Sequence, residues 1–185
     1  MIHRAPVLGS LAILACGSCS PGPDPWFHAV PLGAGNPAAA DFRSVWTAGD
    51  GDAWMVGPTA TLAHWGGAAL VAPAPRAPGE PLRFDSVWGA SPADVWAAGA
   101  ALGHWDGQAW SVTPSPVDAW LCGVWSASAT DAWVVGSGGA AARWDGRGWS
   151  RATVPTSADL NAVWGSAAND VWAVGDTGTA VHYTY

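Results

Sequence analysis

The sequence predicts an all-β fold built from four-stranded antiparallel blades, and three observations predict it. The first is a phrase that recurs four times. It reads Val45-Trp46 … Asp52-Ala53-Trp54-Met55-Val56-Gly57, then Val87-Trp88 … Asp94-Val95-Trp96-Ala97-Ala98-Gly99. It returns as Val124-Trp125 … Asp131-Ala132-Trp133-Val134-Val135-Gly136 and as Val163-Trp164 … Asp170-Val171-Trp172-Ala173-Val174-Gly175. In each copy the two Trp stand 8 residues apart, Asp precedes the second Trp by two and Gly follows it by three. The copies begin 42, 37 and 39 residues apart, a period that marks a repeat architecture. The second observation is that β-rich runs alternate with turn chemistry inside each copy. The third is that no segment holds an apolar period of 3.6 residues, so almost no helix is expected beyond the start of the chain.

The second copy shows the plan. Residues 84–88 (Phe84-Asp85-Ser86-Val87-Trp88) make a first strand, and residues 89–93 (Gly89-Ala90-Ser91-Pro92-Ala93) supply a turn. Residues 94–98 make a second strand closed by Gly99, and residues 102–105 a third. Asp106-Gly107 predicts a type I′ hairpin turn, in which both central residues need positive φ. Residues 109–112 make a fourth strand closed by Pro114. Four short antiparallel strands in about 40 residues form the blade of a β-propeller. The third copy repeats this with Arg143-Trp144-Asp145-Gly146 and Trp149. The first copy has Leu70 where the fourth-strand Trp should stand, and the fourth copy ends after its third strand. Residues 25–31 (Pro25-Trp26-Phe27-His28-Ala29-Val30-Pro31) are similar to the fourth strands of the other copies. They are expected to complete the last blade and close a four-bladed ring. The rival reading is a fragment of a larger propeller.

The motif Val163-Trp164-Gly165-Ser166-Ala167-Ala168-Asn169-Asp170-Val171-Trp172-Ala173-Val174-Gly175 resembles the repeats of secreted bacterial β-propellers. These are loosely akin to the sialidase-type and photosystem II assembly-factor-type propellers. The resemblance covers residues 42–185. It implies the fold and leaves the activity open, because propellers host many unrelated functions.

Half of the 185 residues are apolar, and they include 15 Trp against 3 Phe and 2 Tyr. Burying one Trp removes about 200 Å² from water. That is of order 5 kcal/mol before the entropy of ordering is subtracted. A few large rings among many Ala and Gly can build a thin, repeated core. Trp88, Trp96, Trp125, Trp133, Trp164 and Trp172 are expected in it, because they recur at fixed spacing. The net charge is −7 and every cation is Arg. No basic stripe is present, which argues against nucleic acid and against charge-driven adhesion to lipid.

Residues 1–16 combine Arg4 with a short apolar run, too short to span a bilayer and fitted to a secretory signal. The run ends Ile13-Leu14-Ala15-Cys16, which is similar to a bacterial lipobox and implies a diacylglycerol anchor on Cys16. Gly17 at the next position directs such a lipoprotein to the outer membrane; the alternative is an ordinary signal and a secreted protein. Residues 17–25 read as a flexible Gly/Ser/Pro tether, and residues 26–185 as the propeller repeats. Cys19 lies in the tether, so no structural bridge to Cys122 is expected.

Candidate chemistry is sparse. Asp52, Asp94, Asp131 and Asp170 recur in every copy. They are expected to accept turn amides at the entry to the second strand rather than to form a catalytic ring. His64, His104 and His182 share one repeat position, with Arg143 in the fourth. Equivalent positions on different blades lie too far apart for shared zinc ligation at about 2.0–2.1 Å. No cofactor or metal site is expected. Gly33-Ala34-Gly35-Asn36-Pro37-Ala38 lacks the strand–helix setting of a dinucleotide fingerprint. Glu80 has no partner carboxylate, and no nucleophile–base set is legible. The connections between blades vary most, and binding concentrates in such loops. Trp120 in the connection 113–120 has no counterpart in the other copies and is the candidate ligand contact. It either covers the blade junction beside Cys122 or anchors a ligand.

The reading is a non-catalytic propeller binding or scaffold module, monomeric, lipid-anchored to the bacterial outer membrane or secreted. Its ligand is an envelope protein or a glycan. The alternative is a glycan-acting, glycosidase-like propeller enzyme.

Overall fold

The computed structural model describes residues 41–49, 51–58, 61–67, 70–71 and 83–185. The signal, Cys16, Cys19 and the strand expected over 25–31 lie outside the described residues.

Four antiparallel sheets follow one another along the chain. Blade 1 holds β1 (Ser44–Gly49), β2 (Asp52–Gly57), β3 (Thr61–Gly66) and the short β4 (Leu70–Val71). Blade 2 holds β5 (Phe84–Ser91), β6 (Asp94–Gly99), β7 (Leu102–Trp105) and β8 (Trp110–Thr113). Blade 3 holds β9 (Leu121–Ser128), β10 (Asp131–Gly136), β11 (Ala140–Trp144) and β12 (Trp149–Ala152). Blade 4 holds β13 (Leu160–Ala167), β14 (Asp170–Gly175) and β15 (Ala180–Thr184). Within each blade the strands lie in sequence order. Two three-residue 3₁₀ turns, Ser137–Gly139 and Asp176–Gly178, are the only helical pieces among the described residues.

The repeat spacing is a register device. It sets the paired Trp directly opposite each other: Trp46 and Trp54, Trp88 and Trp96, Trp125 and Trp133, Trp164 and Trp172. Alternation then puts both rings on the face that looks toward the following blade. The repeated Gly has an equally local cause. A Cβ on Gly99 would lie 2.0 Å from the carbonyl oxygen of Arg83, and one on Gly136 equally close to that of Trp120. The chain entering each blade crosses there, and only glycine leaves room.

The core lies in the layers between blades. The first strands β1, β5, β9 and β13 pack in succession. One layer joins blades 2 and 3 through Trp96, Leu102, Leu121, Val124 and Val134. Another joins blades 1 and 2 through Trp54, Val56, Phe84, Val87 and Trp110. Trp54, Trp96 and Trp125 are 1 %, 2 % and 3 % exposed.

Three expectations are corrected. Gly89 does not begin a turn: β5 continues to Ser91 because Gly89 is the socket for the Trp46 ring, which a Cβ would approach to 2.6 Å. The Asp106-Gly107 turn is not type I′, because only Gly107 has positive φ. Instead the Asp106 carboxylate accepts the amides of Gln108 and Ala109, each at 2.8 Å, and closes a wider loop. Trp164 and Trp172 are not core. They are 54 % and 45 % exposed, because no described blade covers the outer face of blade 4. The four described blades form an open arc, in which the first and last do not pack on each other as consecutive blades do.

Candidate functional site

Each blade carries the same polar clamp. An Asp at the start of the second strand meets a residue on the third: Asp52 with His64 at 2.8 Å, Asp94 with His104 at 2.7 Å, Asp170 with His182 at 2.7 Å. In blade 3 Arg143 replaces the imidazole and donates to Asp131 at 2.5 Å. Each imidazole also stacks on its own blade's Trp, with centroids 4.1, 3.9 and 3.9 Å apart for Trp54, Trp96 and Trp172. The carboxylates therefore serve the third strand rather than the turn amides that the sequence suggested. Each His faces its own carboxylate, and among the described residues no group of three potential ligands could hold a metal.

Blade 4 adds Ser166, whose hydroxyl donates to Asp170. This contact and His182 hold the Asp170 carboxyl below its usual range. The order is hydroxyl, carboxylate, imidazole. A nucleophile relay needs the imidazole beside the hydroxyl, so this set locks a strand end and does not activate Ser166.

Trp120 sits at the junction of blades 2 and 3. Its indole N–H donates to Asp85 at 2.5 Å, and the Arg83 guanidinium lies 4.9 Å from its ring centroid. Asp85 also accepts from Arg43 of the blade 1 entry at 2.7 Å. Arg43, Asp85, Trp120 and Arg83 thus form a chain across three blade entries. Sequence reasoning singled out Trp120 alone, because Arg43, Arg83 and Asp85 are not kept at the matching positions of the other copies. Ser115–Trp120 lines a shallow cleft with Ala100. Beside it, Cys122 is a half-buried free thiol whose pKa burial pushes up.

A deeper feature lies between blades 3 and 4. Where blades 1 and 2 meet, Trp54 touches two rings of the next blade: Trp105 on the third strand and Trp110 on the fourth, both 5.2 Å between centroids. Where blades 2 and 3 meet, Trp96 touches Trp144 at 5.2 Å and Trp149 at 5.1 Å. Where blades 3 and 4 meet, Trp133 touches Tyr183 at 4.5 Å, and among the described strands no fourth strand brings a further ring. A cavity of about 440 Å³ occupies that place, lined by Trp133, Ala152, Val154, Leu160, Val181 and Tyr183 among others. At its edge Arg143 donates to the Tyr183 hydroxyl at 2.9 Å. Its guanidinium lies 5.4–5.6 Å from the Trp133, Tyr183 and Tyr185 rings.

No protein-family model matches the chain, and no curated protein matches it. Solved structures do. The chain is 21 % identical to YCF48 bound to D1 peptide, with a TM-score of 0.60 over 80 % of this chain and 53 % of that one. YCF48 from Cyanidioschyzon merolae aligns at 14 % identity and a TM-score of 0.59, over 77 % and 50 % of the two chains. A streptogramin B lyase aligns at 14 % identity and 0.61, over 81 % and 57 %. The chain spans about half the length of these structures. At such identities the likeness establishes the fold, a β-propeller of antiparallel blades.

Proposed function

We propose that this chain is a non-catalytic binding module of the cell envelope whose ligand is a protein segment held in extended form. The observation that carries this reading is the cavity between blades 3 and 4. In the two preceding interfaces a fourth strand fills the equivalent space with Trp110 or Trp149, each opposite the third-strand Trp. A segment pairing with β15 would set an aromatic residue opposite Tyr183 and drop it onto Trp133. Strand addition takes affinity from backbone hydrogen bonds and specificity from such pockets. Binding of a peptide by YCF48 offers a precedent for this ligand class on a related scaffold.

Protein is favoured over glycan by the state of Trp120. Arg83 lies against its ring and its N–H is engaged by Asp85, so little of it is free to stack on a sugar. Trp120 remains a candidate peripheral contact through the Ser115–Trp120 cleft. A glycosidase-like enzyme would need a free acid and base. The four repeat carboxylates are instead engaged by His or Arg of their own blades. Export and a lipid anchor on Cys16, with sorting to the outer membrane, complete the proposal.

The test is a titration of the full chain with a labelled peptide copying residues 106–113, DGQAWSVT, read by fluorescence anisotropy. The Trp→Ala peptide should bind about 30-fold more weakly, the loss typical of a central aromatic anchor. Ala152→Phe, which fills the cavity, should abolish binding. No binding, or equal binding of the two peptides, contradicts the reading. Palmitate labelling that is lost in Cys16→Ser supports the anchor; labelling unchanged by the substitution, or absent in both, contradicts it.

A further inference from the structure

Building on the peptide site proposed above, we infer that the segment bound between blades 3 and 4 carries phenylalanine rather than tryptophan at the position facing Tyr183. Val181 sets this limit on the size of the ring.

The two preceding interfaces show how a fourth-strand ring is seated. Trp110 faces Trp105 across the outer strand pair of blade 2, and Trp149 faces Trp144 in blade 3. Two positions before that third-strand Trp stands a small residue, Gly103 in blade 2 and Ala142 in blade 3. Side chains alternate along a strand, so these residues share the ring's face and form the floor beneath it. The Trp110 ring rests on Gly103: a Cβ there would lie 3.1 Å from that ring and 3.0 Å from Phe84. In blade 3 the floor gains a methyl group at Ala142, and the first-strand residue below it shrinks from Phe84 to Leu121. Ala142 and Leu121 are both fully buried, and Trp149 packs against their cluster. A larger floor is thus offset by a smaller residue beneath it.

Blade 4 breaks this balance. Its floor residue is Val181, which stands opposite Ala173 as Gly103 stands opposite Ala97 and Ala142 opposite Val134. Val181 packs with Leu160 and Ala173 and lines the cavity. Leu160 matches Leu121 in size, so the extra methyl groups of Val181 are not offset from below. Tyr183 is narrower than Trp105 or Trp144, but its ring lies 4.5 Å from Trp133 and its hydroxyl accepts from Arg143 at 2.9 Å. It is held at both ends and does not swing aside to make room. An indole seated as Trp110 or Trp149 is would press on the Val181 methyls, and overpacking of that kind is unfavourable. A single phenyl ring reaches the face of Trp133 without meeting the floor. Ala152, Val154 and Val163 complete an apolar lining that suits it.

The experiment is an anisotropy titration of the full chain with two labelled peptides: the copy of residues 106–113, DGQAWSVT, and the same peptide with Phe in place of its Trp. The unaltered chain should bind the Phe peptide about 10-fold more tightly, the scale of relieving one overpacked contact. Val181→Ala rebuilds the floor of blade 3 and should erase that preference, chiefly by strengthening the Trp peptide. Val181→Ile raises the floor further and should widen the preference by about 3-fold, a readout that stands even where Val181→Ala fails to fold. Equal or tighter binding of the Trp peptide by the unaltered chain overturns the selectivity and leaves the peptide site standing. A preference for Phe that neither substitution changes overturns the role of Val181. No binding of either peptide overturns the site and its selectivity together.

Discussion

Trp96 and Trp172 occupy the same place in the repeat and make the same stack on a histidine, but differ in burial. Trp96 is 2 % exposed between two blades, and Trp172 is 45 % exposed on an outer face. The imidazoles lie 3.9 Å from both rings, and their carboxylates 2.7 Å away in both blades. The clamp within a blade is therefore built whether or not a neighbour exists. What the neighbour adds is burial. A blade fixes its own strands; an interface fixes the stability of the array.

The sharpest way to break this comparison is to truncate both rings. Trp96→Ala removes a ring that touches Trp144 and Trp149, and should cost about 3–5 kcal/mol in urea unfolding. Trp172→Ala should cost about 1 kcal/mol or less, as for a half-exposed site. Equal losses would mean that the stack on histidine matters more than the interface.

The same contrast explains what was legible in the sequence. Strand order and the paired Trp follow from spacing inside one repeat, and the structure shows both. Features that depend on an adjacent element were hidden. Gly89 reads as a turn until the Trp46 ring of the previous blade is laid against it. The recurring Asp suggests a turn acceptor until the third strand brings His64 or His104 within reach. Trp164 and Trp172 read as core because their partners elsewhere are core. The cavity over Trp133 was hidden for the same reason, since its walls come from blades 3 and 4 together.

Trp120 lies between the two extremes. It is half-buried and its N–H meets a carboxylate. Trp120→Ala should therefore destabilise by about 1–2 kcal/mol, less than the full worth of a charged hydrogen bond because the site is partly wet. As a peripheral contact it should also weaken peptide capture modestly. Urea denaturation and the anisotropy titration separate the two effects. A loss as large as that of Trp96→Ala would place it in the core.

The smallest effect expected is on the outer turns. Amides of the turns hold Asp106 and Asp145 below the usual carboxylate value of 3.8. The folded value is depressed, so these turns contribute stability above about pH 4 and lose it as pH falls through the lower folded value. Asp145→Asn should lower stability slightly at neutral pH, leave it unchanged at a pH where Asp145 is protonated, and so flatten the acid limb of the stability profile. Equal stability of the two chains at neutral pH would mean that the charge is irrelevant there.

Hydroxyl-radical footprinting, read Trp by Trp, tests the open arc most directly. The account predicts that Trp54, Trp96 and Trp125 are protected, while Trp164 and Trp172 label rapidly. Protection of Trp164 and Trp172 equal to that of Trp96 would contradict it, since the outer face of blade 4 would then be covered.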